Sequence, residues 1–97
     1  MILSFGDRKT EDLFNGNNSA QARRIATNIR KTAVRKLDLI NAASSVDDLR
    51  SPPGNRLEAL TGDLRGMHSI RINDQWRIIF SWTDAGAEKV QIIDYHR

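Results

Sequence analysis

The sequence contains no cysteine, only two histidines and no long apolar run. The lack of cysteine excludes disulfides and thiolate metal sites. Two imidazoles are too few for an all-histidine metal site, so we expect neither a metal nor another cofactor. No apolar run approaches the roughly 18 residues of a membrane span. No basic-then-apolar signal segment opens the chain, so we expect a cytoplasmic protein without a membrane partner.

The length, composition and charge of the chain indicate what kind of protein it is. Its 97 residues suffice for one hydrophobic core, so we expect a single domain over residues 1–97. At 39% hydrophobic and 28% charged residues, the composition is that of an ordinary globular protein. The formal net charge of +3 favours anionic partners without identifying one.

The clearest pattern lies in residues 67–82, MHSIRINDQWRIIFSW. Apolar and polar side chains alternate on both sides of a short polar segment, which predicts two half-buried strands and a tight turn. If Ile72 and Trp76 face the core together, residues 73–75 form the loop. This register also determines which side chains lie opposite each other along the hairpin.

Two arginines face each other in that register. Ile70 lies opposite Ile78, and Arg71 lies directly opposite Arg77. Like charges opposite each other destabilise a sheet, so the pair indicates an anion-binding face. Removing either arginine should then change the free energy of unfolding by no more than about 0.5 kcal/mol. The alternative is two solvated arginines that splay apart.

Two helices are predicted in the first half of the chain. The first follows Asp7 and ends at the Asn- and Gly-rich residues 15–18. After Ser19, a possible cap, apolar residues at the helical period predict a longer helix over residues 20–43. Three basic residues project to within about 40° of one another on the face opposite the apolar stripe: Arg24, Lys31 and Arg35. They form either a solvated surface or a contact with a nucleic-acid backbone.

Further strands complete an α+β fold with helices on one face of a small antiparallel sheet. They are predicted at residues 1–5, at 56–60 as an edge strand, and at 89–95. If Trp82 pairs with Val90, the same parity places Tyr95 opposite Arg77. Arg71, Arg77 and Tyr95 would then form one row on the face away from the helices.

The C-terminus carries groups suited to proton transfer, Asp94, Tyr95 and His96. Imidazole is the side chain whose ordinary pKa lies near neutrality, so His96 can give or take a proton. The arginine pair could hold a phosphate, and Tyr95 could stack on a base. Together they suit RNA cleavage in which the 2′-hydroxyl attacks the adjacent phosphorus. His68 falls on the core face by alternation, and we interpret it as structural.

Several stretches resemble the HigB branch of the RelE/ParE toxin superfamily. They are LRSPPGNRLEAL at residues 49–60, Gly62 and Asp63, Gly66, HSIRINDQWRIIF at residues 68–80, and the terminal DYH. Residues 2–5 and 10–14 are also similar, so the resemblance covers nearly the whole chain. It implies a type II toxin with two N-terminal helices packed on an antiparallel sheet.

The resemblance also implies an activity and its partners. Such toxins enter the ribosomal A site and cut messenger RNA during translation. A helix-turn-helix antitoxin of the HigA type neutralises them, and the complex binds operator DNA through the antitoxin. Two alternatives remain: a ParE-like protein that poisons DNA gyrase, and a weakly active or inactive toxin acting mainly in the repressor complex. The DYH terminus argues against the gyrase alternative.

Site residues can be carried over by position. Arg77, Asp94, Tyr95 and His96 match the family's active-site positions, and Arg71 matches its basic sheet face. Many relatives have a histidine where this chain has Glu58 and a lysine where it has Thr61. Glu58 is therefore a further catalytic candidate. The RNA-binding candidates are Arg56, Arg71, Arg24, Lys31 and Arg35.

Overall fold

A computed structural model describes residues 1–95 of the chain. Within this range there are two α-helices, α1 (Arg8–Asn15) and α2 (Arg30–Ala42). An antiparallel sheet is ordered β1-β2-β3-β4, with β1 (Glu58–Ala59), β2 (Met67–Arg71), β3 (Trp76–Thr83) and β4 (Gly86–Asp94). Short 3₁₀ helices span Ala22–Arg24, Thr27–Ile29, Val46–Arg50, Pro53–Asn55 and Gly62–Leu64. The predicted α+β architecture is confirmed.

Helix α1 begins and ends where local sequence signals place it. Asp7 Oδ1 accepts a hydrogen bond from Thr10 N at 2.9 Å, which caps the first turn. Gly16 ends the helix in the left-handed region at φ 76°. The buried Thr10 Oγ1 accepts a hydrogen bond from Ile92 N at 3.0 Å, and this bond joins α1 to β4.

The segment after α1 is held by Asp12. Ser19 Oγ donates to Asp12 Oδ2 at 2.6 Å, and Asn17 N donates to the Asp12 carbonyl at 2.9 Å. The Ser19 hydrogen bond lowers the pKa of Asp12 below its ordinary value of 3.8. Ser19 Oγ also accepts from Ala22 N at 3.0 Å, so it does cap the following turn.

The predicted helix over residues 20–43 is wrong over residues 20–29. The backbone is extended at Ile25 and Ala26, with ψ 131° at both, and α2 begins only at Arg30. The guanidinium of Arg30 donates to the carbonyl of Ile25 at 2.9 Å and to that of Arg23 at 3.0 Å. In a continuous helix these two carbonyls would accept backbone hydrogen bonds. At the break they accept hydrogen bonds from the Arg30 side chain instead.

Helix α2 packs on one face of the sheet. Ala33, Leu37 and Ile40 are fully buried against a sheet face that includes Ile78 and Phe80. The imidazole of His68 stacks on Phe80 with ring centroids 6.1 Å apart, which agrees with its predicted core position. The opposite sheet face carries Ser69, Arg71 and Arg77 together with the buried Ile79.

The N-terminal segment lies along the outer edge of β4. Ile2 and Phe5 form isolated parallel bridges with Ala87 and Val90. Leu3 N donates to Ala87 O at 2.7 Å, so the predicted strand over residues 1–5 is extended but only intermittently paired. Within residues 1–95, no helix is long and apolar enough to cross a bilayer.

Candidate functional site

The turn between β2 and β3 fixes which side chains point away from the helices. Asn73 Oδ1 accepts hydrogen bonds from Gln75 N at 2.9 Å and Trp76 N at 2.8 Å. Ile72 N donates to Trp76 O at 2.9 Å and closes the loop of residues 73–75. An asparagine side chain that bonds its own turn in this way is a strong local determinant of a hairpin register.

The predicted hairpin register is confirmed. Ile70 pairs with Ile78, and Arg71 pairs with Arg77. The two arginines are not a pair of equivalent solvated cations, however. The Arg77 residue is 5% exposed, whereas the Arg71 side chain is 31% exposed.

Arg77 is held by a set of directed contacts. Its Nε donates to Ser69 Oγ at 2.8 Å, and its Nη2 donates to the carbonyl of Arg56 at 2.6 Å. Its Nη1 lies 3.9 Å from Glu58 Oε1, and its Cζ lies 5.5 Å from the centroid of the Tyr95 ring. The guanidinium plane is thus fixed between β1, β2 and the end of β4. The expectation that Arg77 is a surface residue is wrong, so the small stability cost expected of its removal no longer follows.

Arg71 is stabilised separately from Arg77. Its guanidinium forms a short ion pair with Asp74 in the hairpin loop, and the Asp74 side chain is almost fully exposed. Because each arginine has its own acidic neighbour, the like charges are tolerated on one sheet face. Arg71 remains close enough to solvent to meet an incoming anion.

These residues line an open pocket of about 600 Å³ on the polar sheet face. The pocket brings together five of the sequence-predicted site residues, namely Arg56, Glu58, Arg71, Arg77 and Tyr95. The hairpin loop supplies the rest of the wall through Asn73, Asp74 and Gln75. The result is a cationic cavity with one carboxylate from a strand and one aromatic ring.

The register predicted for β4 is wrong by three residues at Trp82 and by two at Arg77, although Tyr95 still reaches the site. Trp82 pairs with Ala87 instead of Val90, and Arg77 pairs with Ile93. The pairing shifts between Ile79 and Ser81, an irregularity that strict alternation cannot reveal. Tyr95 is therefore a diagonal neighbour of Arg77, within the reach of an aromatic side chain.

The remaining candidates lie around or outside this pocket. Asp94 is exposed, and its carboxylate accepts from Gln75 Nε2 at 3.1 Å, so it touches a lining residue without itself lining the cavity. His96 lies outside the described residues. Arg24 and Lys31 are exposed elsewhere, and Arg24 is not on α2, so the predicted common helical face is wrong. Arg35 instead lines a neighbouring cavity together with Arg71.

Two positions in and around the site were not singled out from the sequence. Ser69 is fully buried on the polar face, where it accepts the Arg77 Nε hydrogen bond. Its signal was available, because it lies two residues before Arg71 in the same strand and therefore shares its face. Lys36, on α2, had no such signal, because its place beside Arg71 depends on how α2 packs against the sheet.

Solved structures of other proteins share this arrangement of a small antiparallel sheet with helices on one face. The complex of YoeB with YefM from Staphylococcus aureus aligns over 100% of this chain and 99% of that chain, with a TM-score of 0.60 and 15% identity. YafQ from Escherichia coli strain BL21(DE3) aligns over 97% and 91%, with a TM-score of 0.57 and 20% identity. At these identities the likeness establishes the fold.

Sequence comparison establishes the family. The model for the RelE-like toxin of the type II toxin–antitoxin system HigB matches residues 3–96. Toxin HigB-1 of Vibrio cholerae is 42% identical over 87 residues, which cover 90% of each chain. An uncharacterized protein of Haemophilus influenzae is 44% identical over 59 residues, 61% of this chain and 58% of that protein. This chain belongs to the HigB-like toxin family.

Proposed function

We propose that this toxin is a ribosome-dependent messenger RNA endonuclease that stops translation. The observation that carries the proposal is the fixed guanidinium of Arg77, held against Ser69 and Arg56 with Glu58 and Tyr95 beside it. The positive charge of a guanidinium held in a set orientation stabilises the negative charge that develops on a phosphate group during cleavage.

The chemistry that fits this pocket is attack by the ribose 2′-hydroxyl on the adjacent phosphorus. A base takes the hydroxyl proton as the 2′-oxygen bonds to phosphorus. The bond to the 5′-oxygen then breaks, and an acid returns a proton to that oxygen. The products are a 2′,3′-cyclic phosphate and a 5′-hydroxyl. Holding the reacting atoms in line supplies a large part of the rate enhancement, which is consistent with a rigid pocket.

We assign roles by position around the phosphate. Arg77 and Arg71 hold the phosphate, and Tyr95 positions a base or ribose. Glu58 and His96 are the proton-transfer groups, Glu58 within the pocket and His96 next to Tyr95 along the chain. Asp94 orients Gln75 through its 3.1 Å hydrogen bond and is the remaining candidate base.

The partners follow from the family and from the charge of the surface. We propose a helix-turn-helix antitoxin of the HigA type, through which the complex reaches operator DNA, and the ribosomal A site as the place of action. Arg56, on the rim of the pocket, and the exposed Arg24 and Lys31 are proposed contacts with RNA phosphates.

Primer extension on a reporter transcript after brief induction tests the proposal. The expected result is a set of discrete cuts inside translated codons, lost when the start codon of the reporter is removed. Growth arrest without cuts, accompanied by DNA breaks, would favour gyrase poisoning. Neither arrest nor cuts at a confirmed protein level would indicate a toxin that acts only in its repressor complex. Either outcome would contradict the nuclease.

A further inference from the structure

A second basic pocket adjoins the first. It has a volume of about 300 Å³ and lies between α2, the segment that contains Pro52 and Gly54, and the end of β2. Arg71 lines both pockets, so the two cavities adjoin at that side chain. The other lining residues are Thr32, Arg35, Lys36, Leu39, Pro52, Gly54 and Ile72.

The ammonium of Lys36 is positioned by a buried residue. Lys36 Nζ donates a short hydrogen bond to Asn55 Oδ1, and Asn55 is fully buried. Asn55 Nδ2 in turn donates to the carbonyls of Leu49 at 3.1 Å and Ser51 at 3.2 Å. An ammonium has three N–H donors, and this network uses one of them while fixing its location.

The lining of this pocket is charged with one sign. Arg35, Lys36 and Arg71 contribute cations, and none of the lining residues within 1–95 carries a carboxylate. Burial, followed by the nearby charges of Arg35 and Arg71, lowers the pKa of Lys36. Three cations gathered around one cavity repel one another, and a bound anion would relieve that repulsion.

We propose that this second pocket binds a phosphodiester next to the one that is cut, so that the messenger RNA backbone runs from the first pocket into the second past Arg71. The inference rests on the proposed nuclease function. A strand anchored at Arg77 and Arg71 continues naturally into the adjoining cavity, and Leu39, Pro52 and Ile72 provide an apolar wall for a ribose or base. Nothing in the two pockets would similarly direct an acidic segment of a protein partner from the first pocket past Arg71 into the second.

The test uses ribosomes programmed with messenger RNA that carries a single neutral methylphosphonate at either linkage flanking the cleaved one. Single-turnover cleavage is measured against protein concentration for the wild type, Lys36→Gln and Lys89→Gln. Lys89 is exposed on β4 and lines neither pocket, so its substitution is the matched loss of one charge. Arg35→Gln is a second variant at an exposed position, in case loss of the Asn55 contact unfolds Lys36→Gln.

At one of the two linkages, the methylphosphonate should weaken apparent binding by the wild type and by Lys89→Gln about tenfold. Lys36→Gln should bind the natural RNA about tenfold more weakly and show no further loss with that methylphosphonate. The rate at saturating protein should stay unchanged. The slope of log affinity against log salt should fall by about 0.7 for Lys36→Gln, as for one lost phosphate contact on a single strand.

If each methylphosphonate weakened apparent binding by the same factor in the wild type, Lys36→Gln and Arg35→Gln, the proposal would be overturned. The proposed nuclease activity would be unaffected by that result. A variant that binds RNA normally but loses affinity for its antitoxin would assign the pocket to an acidic protein segment, and would also overturn it. Absence of cleavage by the wild type on natural RNA would instead reject the proposed function, and this inference with it.

Discussion

At the residue scale, Arg77 has two roles that can be measured separately. Arg77→Ala removes the donors to Ser69 Oγ and to the Arg56 carbonyl in a buried environment. We expect a loss of about 1–3 kcal/mol in the free energy of unfolding, because buried polar groups lose their partners. In a domain of this size that lowers Tm by at least about 4 °C. Activity should also be lost.

Arg71→Ala is the matched control for this prediction. Its ion pair with the exposed Asp74 should contribute little, so the change in stability is expected within about 0.5 kcal/mol. Thermal and urea unfolding of both variants provide the comparison. Equal, small losses would show that the buried contacts of Arg77 contribute nothing to the fold.

Proton transfer can be assigned by substituting Glu58 and His96 one at a time. A positioned general acid or base typically contributes 10²–10⁴-fold to a rate. His96→Ala should therefore abolish growth arrest. Glu58→Gln keeps the shape of the side chain and removes its negative charge, and it should slow single-turnover cleavage by a comparable factor. If His96→Ala stayed fully toxic, the proton transfer would belong to Glu58 or Asp94.

At the scale of the elements, the sequence predicts best where the chain itself carries the determinant. The β2–β3 register followed from alternation, and the Asn73 side chain that fixes it lies inside the turn. The prediction of a helix over residues 20–43 was wrong before Arg30, because the chain there carries no local determinant of the backbone conformation. Ala22, Ile25 and Ile29 are buried at helical spacing, but periodicity reports burial and not the backbone. The break depends on hydrogen bonds from the Arg30 side chain to two carbonyls earlier in the chain. No local sequence pattern predicts those bonds.

The junction after α1 should respond to acid through Asp12. Because its folded-state pKa is lowered, the ionised carboxylate contributes stability above its ordinary value of 3.8, and that contribution is lost as pH falls through the lowered value. Asp12→Asn should destabilise the protein at about pH 7 and less at a pH below 3.8. Urea unfolding at both pH values, with the exposed Asp84→Asn as control, measures the difference. An equal loss of unfolding free energy on Asp12→Asn at both pH values would show that the Asp12 charge is not involved.

At the scale of the whole molecule, the sheet separates the apolar core from the pocket. One face buries Ile70, Ile78 and Phe80 beneath the helices, while the other gathers the pocket residues. The sequence predicted five of the residues that line the pocket, because alternation determines faces and the family resemblance points to the C-terminus. It did not predict the bulge in β3–β4, the burial of Arg77 or the place of Lys36, because all three arise from packing between distant segments.

The central claim is that this pocket directs a ribose 2′-hydroxyl of messenger RNA onto the adjacent phosphorus. The most direct measurement uses purified ribosomes programmed with an RNA that has one 2′-deoxy nucleotide immediately 5′ of the cleaved bond. The all-ribose RNA should be cut only in the presence of ribosomes, leaving a 2′,3′-cyclic phosphate and a 5′-hydroxyl, and the deoxy-substituted RNA should stay intact at that bond. Cleavage of the substituted RNA at the same bond would contradict the account.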